Sequence, residues 1–129
     1  MKRYALLWTL LVTALLAGCA MNPDDGLSDE DRAVLRYDSA SLDGAFELLE
    51  VNRATSGDIV RAQVHLRNKS SFSVDYQYKF RWYDRNGFEI APEGEPWRPQ
   101  RASGKAEVRL QAVAPNAAVA RFELWLREE

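Results

Sequence analysis

The 129-residue chain is poor in the residues from which many active sites are built. It has one cysteine, Cys19, and one histidine, His65. A single cysteine excludes an internal disulfide, and with a single histidine beside it the usual zinc ligand sets cannot be assembled. No metal or other cofactor is therefore expected. Basic excess is missing too. The 17 Lys and Arg stand against 19 Asp and Glu, where a nucleic-acid binder usually carries a clear surplus of cations. Long apolar runs are also absent. Tyr4–Ala17 is an apolar run of 14 residues, short of the about 20 that a membrane-spanning helix needs. No Ser or Cys lies in a recognisable nucleophile motif, so the chain is not expected to be an enzyme.

What the run does have is its setting. Lys2 and Arg3 precede it and Leu16-Ala17-Gly18-Cys19 closes it, the three-part layout of a secretory signal. Those last four residues resemble the lipobox of bacterial lipoproteins. The resemblance implies cleavage before Cys19 and acylation of Cys19 itself. Residues 1–18 then form the signal peptide, and the 111 residues that follow carry 15 cations against 19 acids. Two or more acyl chains bind a bilayer stably where one binds marginally. Ala20 follows the cysteine, in place of the aspartate that resembles an inner-membrane retention signal. The expected location is the periplasmic face of the outer membrane.

Residues 19–41 are polar and acidic, with Asp24, Asp25, Asp29, Glu30 and Asp31. Such a segment has little apolar surface to offset its ordering entropy and reads as a flexible tether. Within it, Ser28 with Asp31 three residues on has the pattern of a helix cap. A single capped turn or a solvated linker both fit.

Beyond the tether the hydrophobic period is two. Val60, Ala62, Val64 and Leu66 alternate with Arg61, Gln63, His65 and Arg67. Val74, Tyr76, Tyr78, Phe80 and Trp82 alternate with Asp75, Gln77, Lys79, Arg81 and Tyr83. Strict alternation with β-branched and aromatic residues marks half-buried strands. The polar Asn68–Ser73 link predicts that these two strands form a hairpin. Further strands are predicted over Phe46–Arg53, Phe88–Ile90, Glu107–Val113 and Val119–Arg127, and a short one near Val34–Asp38. Turns fall at Thr55–Asp58, at Asp84–Gly87, where Asn-Gly favours positive φ, and at Ala114–Asn116. Strands with one apolar face need a second layer to cover it. The expected fold is all-β, an immunoglobulin-like antiparallel β-sandwich over residues 42–129, with a small barrel as the alternative.

Two surfaces invite attention. The column Tyr76, Tyr78, Phe80 and Trp82 has the form of a sugar-stacking platform, but its phase makes it core. On the other face of the predicted hairpin, a loop centred between Ser70 and Ser71 sets Arg61 opposite Arg81, and a two-residue slip sets it opposite Lys79 or Tyr83. Like charges directly opposite destabilise a sheet, and an anion relieves them. Arg61, Arg67, Lys79 and Arg81 are thus the candidate contact strip for an anionic partner. Trp97, in the Pro-rich segment Ala91–Lys105, is a further candidate contact or a pin for that loop. His65 is expected to be exposed, with no acid spaced to orient it. Glu89, Glu93 and Glu95 read as solvated loop acids.

The runs Leu66-Arg67-Asn68-Lys69-Ser70, Tyr78–Asp84 and Asn86-Gly87, with Pro96-Trp97 and Ala114-Pro115-Asn116 further on, resemble the YcfL-like family of predicted periplasmic lipoproteins. The resemblance covers about Phe46–Arg127 and implies an immunoglobulin-like sandwich. It supplies no catalytic residues. The resemblance also implies an association, as neighbours in some genomes, with outer-membrane lipoproteins that activate peptidoglycan synthases. Two functions follow as expectations: a lipid-anchored, non-catalytic module that binds an envelope protein or wall component, or an accessory or regulatory subunit of an envelope assembly such as peptidoglycan synthesis.

Overall fold

The computed structural model describes residues 26–129. The signal peptide and Cys19 lie outside the described residues. Among the described residues eight strands form two sheets: β1 (Leu35–Tyr37), β2 (Phe46–Ser56), β3 (Ile59–Asn68), β4 (Val74–Asp84), β5 (Glu89–Ile90), β6 (Arg98–Ala102), β7 (Glu107–Val113) and β8 (Val119–Glu128). One sheet runs β1-β8-β4, with β5 and β6 both on the far side of β4; the other runs β2-β3-β7. The sheets pack as the expected β-sandwich. Pairing is antiparallel except at one edge, where β1 lies parallel to β8 with Leu35 beside Leu124.

The alternation read in the sequence explains the core. Ala62, Val64 and Leu66 from β3 meet Tyr76, Phe80 and Trp82 from β4 and Phe122, Leu124 and Leu126 from β8, all buried. Tyr78 is half-buried against them. Phe80 and Trp82 stack with ring centroids 5.8 Å apart, and Phe46 meets Tyr76 edge-on at 5.0 Å. The aromatic column is therefore core. The Tyr76 hydroxyl and the Trp82 indole nitrogen are buried with no hydrogen-bond partner among the described residues.

Three expectations need correction. The strands β3 and β4 do not form a hairpin. β3 pairs with β2 and β7, while β4 pairs with β8, β5 and β6. The link at 69–73 instead carries the chain from one sheet to the other. Asn68 fixes that crossing: fully buried, it donates from Nδ2 to the carbonyls of Phe72 (2.8 Å), Ala102 (3.2 Å) and Ser103 (3.1 Å) and accepts from Ser70 N–H (2.9 Å). Its two amide hydrogens, one of them shared between carbonyls, and its oxygen tie both sheet crossings together.

Residues 28–41, expected within the tether, also carry structure of their own. A helical turn, α1 (Asp29–Arg32), begins at a capping box in which Ser28 and Asp31 satisfy each other's backbone N–H. Asp31 also holds Arg53 of β2 at 2.7 Å. β1 and a 3-10 turn at Ala40–Leu42 follow, with Val34 and Leu42 buried. Those two buried apolar residues, spaced among acids, join the Asp31–Arg53 pair and the pairing of β1 with β8 in binding residues 28–42 into the sandwich.

The Pro-rich segment, finally, contains a strand. β6 pairs Val74–Tyr78 with Arg98–Ala102, and Pro99 sits opposite Gln77. Proline fits here because β6 is an edge, and its missing N–H lies on the solvent side. The expected turns at Gly57 and Gly87 are present, with φ of 61° and 87°.

Candidate functional site

The split of β3 and β4 between sheets divides the candidate strip. Arg61 and Arg67 lie on the outer face of the three-stranded sheet. Lys79 and Arg81 lie on the outer face of the five-stranded sheet, on the opposite side of the sandwich. Arg61 sits between Ala54 and Val113, so no cation opposes it and the expected repulsion is absent. Arg67 donates to Glu107 at 2.6 Å and to Glu47 at 3.3 Å. His65 is 9% exposed rather than open, with Nε2 2.9 Å from Glu107 Oε2. The acid that holds it comes from β7, beyond the reach of local spacing. Arg67 and His65 together keep the Glu107 carboxyl below its usual range. Glu107, shared between Arg67 and His65, completes a polar cluster without a nucleophile.

The other face is built differently. Side chains on it come from β1 (Arg36), β4 (Asp75, Gln77, Lys79, Arg81, Tyr83), β5 (Glu89), β6 (Arg101) and β8 (Arg121, Glu123, Trp125, Arg127), joined by Trp97 from the loop before β6. Cations cover each aromatic ring. The Arg121 guanidinium is 4.0 Å from the Tyr83 centroid and that of Arg81 is 4.3 Å from Trp125. Trp97 carries Arg127 at 4.2 Å and Lys79 at 5.1 Å. Such contacts are worth roughly 0.5–1 kcal/mol each at exposed sites. Trp97 is thus pinned to the sheet, and it also extends the array.

Glu123, 8% exposed, anchors the centre. It accepts from Arg36 Nε (3.3 Å) and Trp125 Nε1 (3.3 Å) and lies 3.7 Å from Arg121. Burial pushes its carboxyl up. Hydrogen bonds from Tyr83 and Trp125 and the charges of Arg36 and Arg121 outweigh burial and leave it below the usual carboxylate value. Burial and the neighbouring Glu123 push the Tyr83 hydroxyl up to about 12. A lowered carboxyl pKa gives stability that is complete above the unfolded value and is lost as pH falls through the folded one. Wild type should therefore lose more melting temperature between pH 5 and 3 than Glu123→Gln does. Parallel losses in a pH series of melts would contradict this.

The remaining acids on the face are occupied, Asp75 by Arg101 at 3.2 Å and Glu89 by Arg81 at 4.0 Å. Six cations, Arg36, Lys79, Arg81, Arg101, Arg121 and Arg127, therefore meet three acids on one side of a net-acidic chain. Tyr83 and Trp125 were missed as site residues, although both fall in the charged phase of their strands, which is the signal that marks them. Glu95 is not merely solvated: with Arg98 it lines a small cavity beside the face. Glu93 is exposed. Among the described residues, no group of three or more metal-ligating side chains converges.

Comparison with known proteins agrees with the resemblance. Residues 33–128 match the family described as "Protein of unknown function (DUF1425)". The uncharacterized protein YcfL of Escherichia coli K12 is 31% identical over 86 residues, 67% of each chain. A crystal structure of a DUF1425 family member from a Shewanella species is 33% identical, with a TM-score of 0.59 over 65% of this chain and 78% of that one. The Campylobacter jejuni protein Cj0090 shares the fold at 22% identity, TM-score 0.62, over 75% of this chain and 99% of its own. The chain belongs to the DUF1425 family of uncharacterised, YcfL-like proteins.

Proposed function

We propose that this protein is a lipid-anchored, non-catalytic envelope module, held at the periplasmic face of the outer membrane through acylated Cys19, that presents its five-stranded sheet to an acidic protein partner. The observation that carries the reading is the excess of cations over acids on that face. It is a surface whose charge opposes that of the chain as a whole. The partner is a protein rather than a wall glycan because the aromatic rings are already covered by guanidinium and ammonium groups at 4.0–5.1 Å. Sugar stacking needs bare rings. Carboxylates need the outward edges of the cations, which the ladder holds in place.

Arg121→Glu with Arg127→Glu should abolish an in-cell crosslinked protein partner, while Arg61→Glu leaves it in place and changes stability by less than about 0.5 kcal/mol. Added salt should weaken the wild-type complex. Cys19→Ala should give an unprocessed precursor that takes up no labelled fatty acid. Retention of the partner by the double variant, or crosslinks to wall glycan alone, would overturn the assignment of the face. A normally processed soluble wild-type form would overturn the anchor.

A further inference from the structure

Beside the cationic face, the edge of the five-stranded sheet is interrupted. β4 is paired at Val74–Tyr78 by β6 and at Trp82–Tyr83 by β5, and residues 91–97 loop out between those two partners. In an antiparallel ladder successive residues direct their N–H and C=O to alternate sides. On β8, Leu124 N–H and Leu126 C=O are bonded towards β1, so its odd-numbered residues bond to odd-numbered residues of β4. Even-numbered residues of β4 face β5 and β6, as the bond from Asp84 N–H to Phe88 C=O confirms. Of these, Val74, Tyr76 and Tyr78 meet β6, and Trp82 and Asp84 meet the β5 hairpin. Phe80 meets neither. Its N–H and C=O point to that side, where a cavity of about 270 Å³ is lined by Tyr78, Lys79, Phe80, Glu95, Arg98, Gln111, Ala112 and Val113.

The far wall is a second free edge. Ala114 N–H bonds to Val60 C=O and Asn68 N–H to Ala106 C=O. Even-numbered positions of β7 therefore face β3, and Gln111 and Val113 turn their amides outward. Arg98, opposite Tyr78, lies on the core-facing side of β6. The notch thus combines main-chain edges on two walls, an aromatic floor, and Arg98 beside Glu95.

We propose that this notch binds the end of an extended peptide, pairing its backbone with Phe80 and β7 and its terminal carboxylate with Arg98. A peptide chain, which both donates and accepts, matches the Phe80 N–H and C=O together, whereas a simple anion leaves the carbonyl unmatched. The volume lies just under the roughly 300–1,000 Å³ of ordinary small-molecule pockets, which suits a short terminal segment. This site stands apart from the reading of the cationic face, and its test does not require that face to bind anything.

The full chain in detergent micelles, labelled with ¹⁵N at phenylalanine, offers five phenylalanine positions, of which Phe80 alone faces the notch. Titration with tri-alanine bearing a free carboxylate should shift the Phe80 amide in a saturable way. The amide-capped tripeptide should bind at least about tenfold more weakly, the loss of a charge-assisted bond. Arg98→Gln should bring the free peptide down to the level of the capped one. A Phe80 amide unmoved by either peptide at roughly 10 mM would overturn the proposal, as would a shift common to all phenylalanines or equal affinity for capped and free peptides.

Discussion

Trp82→Ala should cost about 3–5 kcal/mol of stability, against a total of roughly 5–15 kcal/mol for a domain of this kind. Trp82 is 1% exposed, stacks on Phe80 and lies 5.8 Å from the Phe122 ring. Its truncation opens a cavity where both sheets meet, and the neighbours on β4 and β8 are held in register and cannot collapse into it. Trp82→Phe provides the contrast. It keeps a ring in the stack and removes the buried indole N–H that has no partner, so it should cost less than half as much. Urea unfolding of the two variants checks this. An unchanged midpoint for Trp82→Ala would mean that the column is a surface platform after all.

Asn68→Ala should be comparably severe, about 3 kcal/mol or more. The side chain is small, so lost hydrophobic burial contributes little. The cost comes from three carbonyls and one N–H that the carboxamide serves at the sheet crossings. A buried polar group left without a partner costs about 1–3 kcal/mol, discounted here because Phe72 and its loop can reach solvent. Asn68→Asp discriminates between shape and hydrogen bonding. It keeps the volume and the bond from Ser70 but presents oxygen to three carbonyl oxygens, so it should be at least as damaging as alanine. If Asn68→Asp melted like wild type, the crossing would not depend on this donor.

Residue alternation made the fold legible only in part. Which residues of Val60–Leu66 and Val74–Trp82 point inward is written in their period of two, and both strands obey it. Which sheet each strand joins is not, because alternation is the same whether neighbours in sequence pair side by side or face each other across the core. On alternation alone the Asn68–Ser73 link reads as a hairpin loop. Its buried Asn68 is chemistry that only the folded crossing reveals. The contact strip inherited the error, so Arg61 and Arg67 fell on one side of the sandwich and Lys79, Arg81 and Trp97 on the other. β6 stayed hidden because Arg98-Pro99-Gln100-Arg101 has no alternation to read and a proline that only an edge tolerates. His65 found its acid, Glu107, 42 residues away in sequence, where spacing gives no warning.

Site-specific photocrosslinking in cells bears most directly on the cationic face as the partner surface. A photoreactive phenylalanine analogue placed at Arg127 reports on the five-stranded sheet, and one placed at Arg109 reports on the outer face of the three-stranded sheet. The expected result is a discrete crosslinked protein from position 127, weakened by salt, and none from position 109. A product from 109 with none from 127 would contradict it.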